Sequence, residues 1–198
     1  MSVRAPIVGV VTAFDDAERF HPGSVTEWRE WLAEHHARGR GVWLVFWRRE
    51  SGGPVIEYEE SVLEALCFGW IDSTRKVLDD DRVMMWFAPR RPQSTWVRNN
   101  KERVARLEAE GRMQPAGRAL VEAAKANGMW TVFDDAEAGV VHPSLAARLA
   151  ADSGAAAAWD ALTPARRKRH LMDLALAKTP ETLAKRVDAV LGSLVSTP

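Results

Sequence analysis

Residues 63–101 read LEALCFGWIDSTRKVLDDDRVMMWFAPRRPQSTWVRNNK, and the punctuation of this stretch decides the fold. Upstream of it, Tyr58, Val62, Leu66 and Gly69 recur at helical spacing, with Glu57, Glu59, Glu60 and Glu64 left for solvent, so 58–68 reads as a helix. A glycine just past the last apolar turn takes the left-handed conformation that closes a helix, so Gly69 turns the chain sharply into Trp70-Ile71-Asp72. Residues 70–78 and 82–88 are rich in β-branched and aromatic side chains around the turn formers Asp79-Asp80-Asp81, the pattern of a hairpin. Pro89 has no N–H for a ladder and ends the second strand. Pro92 keeps its neighbours extended, so Arg90 and Arg91 lie in a stiff connection.

Beyond the prolines, Ser94 or Thr95 is the expected cap of a helix over 95–110, closed by Gly111. Its apolar stripe is Val97, Val104 and Leu107, and Asn100 falls on that stripe. Burying an amide without partners costs on the order of 1 to 3 kcal/mol, so polar groups should face it. Asp72, Ser73, Arg90 and Arg91 are the nearest in sequence. Two readings stand: a structural clamp between hairpin and helix, or a ligand site made of Asp72, Ser73, Arg90, Arg91, Ser94, Trp96 and Asn100. In the second, the arginines hold a small anion and Trp96 stacks on the ligand.

Working toward the N-terminus, residues 42–47 are an unbroken apolar run, which marks a strand covered on both faces beside the hairpin. Before it, Ser24 or Thr26 caps a helix with Trp28, Trp31, Leu32 and His35 on one face. His35 and His36 point about 100° apart on a helix, a poor pair for one metal ion. No metal and no cofactor is expected. The β-branched run 7–11 is a candidate edge strand.

Toward the C-terminus, 115–126 reads as a helix with Ala119, Leu120, Ala123 and Ala124 inward, and 129–143 as a linker. Four helices follow, over 144–151, 154–162, 163–178 and 179–194. Thr163-Pro164 and Thr179-Pro180 each place a cap before a proline at the first helical position. The expected organisation is thus α+β: a small antiparallel sheet packed with helices over 1–128, the linker, and a helical C-terminal region over 144–198.

The motifs W-L-x-x-H-H at 31–36, A-L-C-F-G-W-I-D-S at 65–73, P-R-R-P-Q-S-T-W at 89–96, N-x-x-R-V at 100–104 and A-K-T-P-E-T-L-x-K-R-V at 177–187 resemble those of the YdeI/OmpD-associated family, the bacteriocin-protection proteins. Two positions depart from the family pattern: Val97 replaces its serine and Leu183 its arginine. The resemblance implies a cytoplasmic bacterial protein of stress or bacteriocin protection. It brings no reaction with it.

Composition bounds the remaining choices. The chain has 198 residues, 46% of them hydrophobic, with 27 basic and 27 acidic residues, so no global field draws it to nucleic acid or an anionic membrane. A single cysteine forms no internal disulfide and suits a reducing compartment; neither a leader pattern nor a membrane-spanning run is visible, so cytoplasm is the expectation. Cys67 reads as a buried structural thiol at a helix end, where the dipole raises its pKa. Among nine tryptophans, Trp43, Trp47, Trp70 and Trp86 are expected in the core. Local charge is uneven: 129–162 carries net −4 and 163–198 net +4, and the run Arg166 to His170 suits a solvated face, a phosphate or an acidic partner.

The functional expectation is a non-enzymatic binding protein with an unknown small anionic ligand or protein partner. Two alternatives remain: an enzyme using Asp72 as base with the arginine pair, and nucleic-acid binding through 89–106, which has six basic residues against one acidic.

Overall fold

The computed structural model describes residues 17–195, and the strand expected at 7–11 lies outside them. By its contacts the chain forms two compact units, Met1–Arg91 with Val104–Leu120, and Pro92–Arg103 with Val121–Pro198.

In the first unit, β1 (Arg19–Phe20) leads into α1 (Val25–His35), whose cap is Ser24: its hydroxyl accepts the Glu27 N–H at 3.2 Å. Trp28, Trp31 and Leu32 are buried on its inner side. Then come β2 (Val42–Trp47), α2 (Tyr58–Cys67), β3 (Trp70–Val77) and β4 (Arg82–Pro89), in the sheet order β1-β2-β4-β3. The apolar run of β2 is interior, as its sequence requires, and it pairs antiparallel with β4, Trp43 opposite Trp86 and Val45 opposite Met84. The sheet is mixed rather than wholly antiparallel. β1 and β2 are joined through helix α1, a crossover that returns the chain in the same direction, and Arg19 and Phe20 pair parallel with Trp43 and Leu44.

Gly69 ends α2 as expected, with φ +77°, a conformation that strains any side-chain-bearing residue. Gly117 serves a different need. A Cβ there would lie 2.4 Å from the Cys67 carbonyl oxygen, so only glycine allows this approach. The Gln114 N–H donates to the same oxygen at 3.0 Å. The buried side of α4 (Pro115–Ala126) accordingly runs through Gly117, Val121 and Ala124, and Ala119, expected inside, is exposed.

The helix α3 (Arg98–Ala109), of which the residues to Arg103 belong to the second unit, begins three residues later than the spacing suggested. At its start the Arg98 N–H donates to the Glu137 carboxylate at 2.9 Å, and an anion there also suits the helix dipole. The stretch read as a linker holds α5 (Asp134–Glu137), with Phe133 and Ala136 buried. The four C-terminal helices are α6 (Pro143–Ala151), α7 (Ser153–Ala161), α8 (Pro164–Ala175) and α9 (Pro180–Val195). The Thr163 and Thr179 hydroxyls accept the N–H groups of Arg166 and Thr182, so both cap-proline signals hold. Leu145, Trp159, Leu171, Leu174, Val187 and Val190 form their common core.

Candidate functional site

The residues expected to share a site divide between the units: Asp72, Ser73, Arg90 and Arg91 belong to the first, Ser94, Trp96 and Asn100 to the second. Within the second, Trp96 is 2% exposed and packs on the Trp130 ring, with centroids 5.1 Å apart, so its face is taken by protein rather than left for a ligand. Asn100 is buried, and its amide oxygen accepts from the Arg103 guanidinium at 2.8 Å, one helical turn on. Ser94 is half-buried.

Within the first unit, Asp72 lies on β3 opposite Phe87, just before a bulge that shifts the register between Asp72 and Arg75. Its carboxylate accepts the Tyr58 hydroxyl at 2.6 Å. Ser73 and Arg91 are exposed. Arg90 is 7% exposed, and its N–H donates to the Gly69 carbonyl at 2.9 Å, tying the end of β4 to the end of α2. Burial holds the Arg90 pKa down to about 10, while the charge of Asp72 pulls the other way. Asp72 and Arg90 are thus in electrostatic contact, but Arg90 is closed from solvent.

Farther along the same hairpin the surface opens. A cleft of about 440 Å³ lies in the second unit and one of about 400 Å³ here, the latter floored by Phe46, Ile56, Val83 and Met85 and flanked by Tyr58 and Arg75. Arg75 is exposed, and among the described residues no carboxylate is paired with it. Arg49 and Glu57, also on the rim, pair with each other. The bulge positions this arrangement, because it lets Asp72 and Arg75, an odd number of residues apart, sit opposite Phe87 and Met85 on one face of the sheet. An apolar floor with a few polar groups at its edge is the ordinary make-up of a small-molecule site.

One buried charge escaped the sequence reading. Glu64, expected in solvent, has a side chain only 8% exposed and is held by Arg29 and Arg112, the second at 2.7 Å. The signal was in the run SVLEALCFGW at 61–70, where Glu64 is the one charge among mostly apolar residues; all ten are buried, so α2 is inside on all sides there and that charge needs partners. For both arginines burial opposes the charge, yet hydrogen bonding to Glu64 and Arg112's further bond to Glu110 raise their pKa values. Cys67 one turn on is fully buried, and its pKa is raised by burial and then by the Glu64 charge. His35 and His36 each bond carbonyls of their own helix through Nδ1, and among the described residues no cluster of His, Cys, Asp or Glu suits a metal. No described helix is long and apolar enough to cross a membrane.

The architecture is that of an α+β chain with a helical C-terminal region. The chain belongs to the family described as Domain of unknown function (DUF8412), whose family model matches residues 20–120, about half of its length. Residues 139–195 match a second family model, Bacteriocin-protection, YdeI or OmpD-Associated, a partial match to the family that the sequence resembles. The motifs at 65–73 and 89–96 fall in the first match and that at 177–187 in the second, so the likeness to a bacteriocin-protection type of protein rests on the C-terminal helices. No curated protein and no solved structure matches the chain.

Proposed function

We propose that this is a non-enzymatic binding protein of the bacteriocin-protection type, and that the cleft beside Tyr58 and Arg75 takes a small amphipathic anion. The observation behind this reading is an exposed guanidinium, with no carboxylate paired to it among the described residues, at the edge of an apolar floor. Arg75 offers a planar fork of donors that matches a carboxylate or phosphate, and Phe46, Val83 and Met85 offer apolar surface to the body behind that head. Asp72 positions the Tyr58 ring at the rim through its hydroxyl, and Arg90, within the field of Asp72, supports that carboxylate from the buried side. The same proposal sets the protein in the cytoplasm, where the lone thiol of Cys67 stays reduced.

Thermal shift with three compounds tests the reading. Octanoate should raise the melting temperature, whereas acetate, which lacks the apolar body, and octanol, which lacks the charge, should not. Equal effects of octanoate and octanol would remove the anion from the account.

A further inference from the structure

Among the C-terminal helices lies a cavity whose chemistry is opposite to that of the cleft at Arg75. It holds about 270 Å³ and is walled by Val132, Val140, Leu171, Leu174 and Leu183, with Asp135 and His142 as the polar side chains of its lining. Leu171 and Leu174 belong to the core of the second unit and Leu183 packs against it, so the walls are set by the fold. Asp135 is exposed, and among the described residues no cation is paired with its carboxylate; its neighbour Asp134 is paired with Lys101. His142 adds no positive charge: the Ser144 N–H donates to its Nδ1 at 3.2 Å, which leaves the ring proton on Nε2. Leu174, Ala175 and Ala177 bring the C-terminal end of α8 to the wall, the end of a helix that favours a cation. Arg186 answers part of that demand from outside the lining, donating to the Asp173 carbonyl and pairing with the Asp173 carboxylate.

We propose that this cavity binds a small primary amine, with its ammonium group against Asp135 and a hydrocarbon body among the leucines. Charge selects the class of ligand. An anion would meet the Asp135 carboxylate with no lysine or arginine in the lining to answer it, and a neutral alcohol would gain nothing from that charge. A metal ion asks for several oxygen or nitrogen ligands, and among the described residues no cluster of His, Cys, Asp or Glu supplies them. Size selects within the class. The cavity lies just below the usual range for ligand pockets, roughly 300 to 1,000 Å³, so it suits a single ring or a short alkyl chain rather than a polymer. The site owes nothing to the cleft of the first unit, since every residue of its lining belongs to the second.

Isothermal titration tests this on the full chain carrying Arg75→Ala, so that the cleft of the first unit takes no anion, with three compounds of one shape: phenethylamine, phenethyl alcohol and phenylacetate. Phenethylamine should bind at about millimolar concentration and equally well to the parent chain. The alcohol should bind about fivefold more weakly, the upper end of what an ion pair open to water contributes, and phenylacetate should not bind. Adding Asp135→Asn should bring the amine down to the level of the alcohol at an unchanged melting temperature, because the side chain is exposed. Asp135→Lys should reverse the order, so that phenylacetate binds better than the amine. Ala177→Trp, shown by circular dichroism to be folded, fills the cavity and should abolish amine binding. The proposal is overturned by absence of phenethylamine binding at about 10 mM, by equal affinity for amine and alcohol, or by undiminished amine binding in Asp135→Asn or in folded Ala177→Trp.

Discussion

Arg75 stands on β3 and Arg90 directly follows β4 of the same hairpin, and the two have opposite surroundings. Arg90 sits where the hairpin meets the end of α2, 7% exposed, with its main chain bonded to Gly69 and its charge discouraged by burial. Arg75, past the bulge, is exposed at a cleft, with no carboxylate paired to it among the described residues. The stiff Pro89 to Pro92 connection presets direction, and the direction of Arg90 is inward. Of the two proline-bracketed arginines Arg90 is thus turned inward and Arg91 outward, while Arg75, a mid-strand arginine with no sequence emphasis, is the one that lines the cleft.

If closed charges hold the fold and open ones do not, substitutions should separate by stability. The largest effect is expected at Glu64, where Glu64→Gln leaves Arg29 without a charged partner and Arg112 with Glu110 alone, and should cost about 3 kcal/mol. For a chain of this size that lowers the melting temperature by about 10 °C. Replacing all three together by Leu and Met should recover much of the loss, since the penalty comes from stranded charge rather than from a missing attraction. Next in size, Arg90→Ala removes a buried side chain and leaves Asp72 without that nearby cation, which should cost about 2 kcal/mol by chemical denaturation. Arg75→Ala in the same assay should change stability by less than about 0.5 kcal/mol.

The smallest expected effect is a pH dependence at a partly buried cation. His170 packs near Trp159, and burial, then the Arg169 charge, lower its pKa below the ordinary 6.5; Arg166 adds to this and Asp173 opposes it. As pH falls through 6.5 the unfolded chain takes up this proton before the folded one does, so acidification costs stability and the cost vanishes above 6.5. Solvent screens a group this exposed, so the His170→Asn variant should lose only a few tenths of a kcal/mol of pH dependence between about pH 7 and 5.5. Equal pH slopes in parent and variant would show that the packing at His170 does not disfavour the charged ring.

Elements with strong local signals were legible in the sequence. The run Val42–Trp47 gave a covered strand, Asp79 to Asp81 a hairpin turn, Gly69 a helix stop, and Thr163-Pro164 a helix start, because each depends on residues within one or two turns of itself. What depended on distant chain was not legible. The parallel β1 is only two residues long, and its pairing is set by the crossover through α1. The Glu137 carboxylate that accepts the Arg98 N–H at the start of α3 is 39 residues away. Of the proposed site residues, Asp72 could be named because it follows Gly69 and Trp70, but its partner Tyr58 lies on α2 and Arg75 gains its place from a bulge that spacing does not encode. Glu64 was misread because its neighbours Glu57, Glu59 and Glu60 suggested a solvated face, which ends at Glu60.

The central claim is that the accessible arginine binds and the buried one supports. Isothermal titration of octanoate into the parent, Arg75→Ala and Arg90→Ala, each checked for an intact fold by circular dichroism, tests it most directly. The account predicts that Arg75→Ala loses octanoate binding at an unchanged melting temperature, and that Arg90→Ala melts earlier yet binds octanoate within about threefold of the parent while folded. Undiminished binding by Arg75→Ala, or loss of binding in folded Arg90→Ala alone, would contradict it.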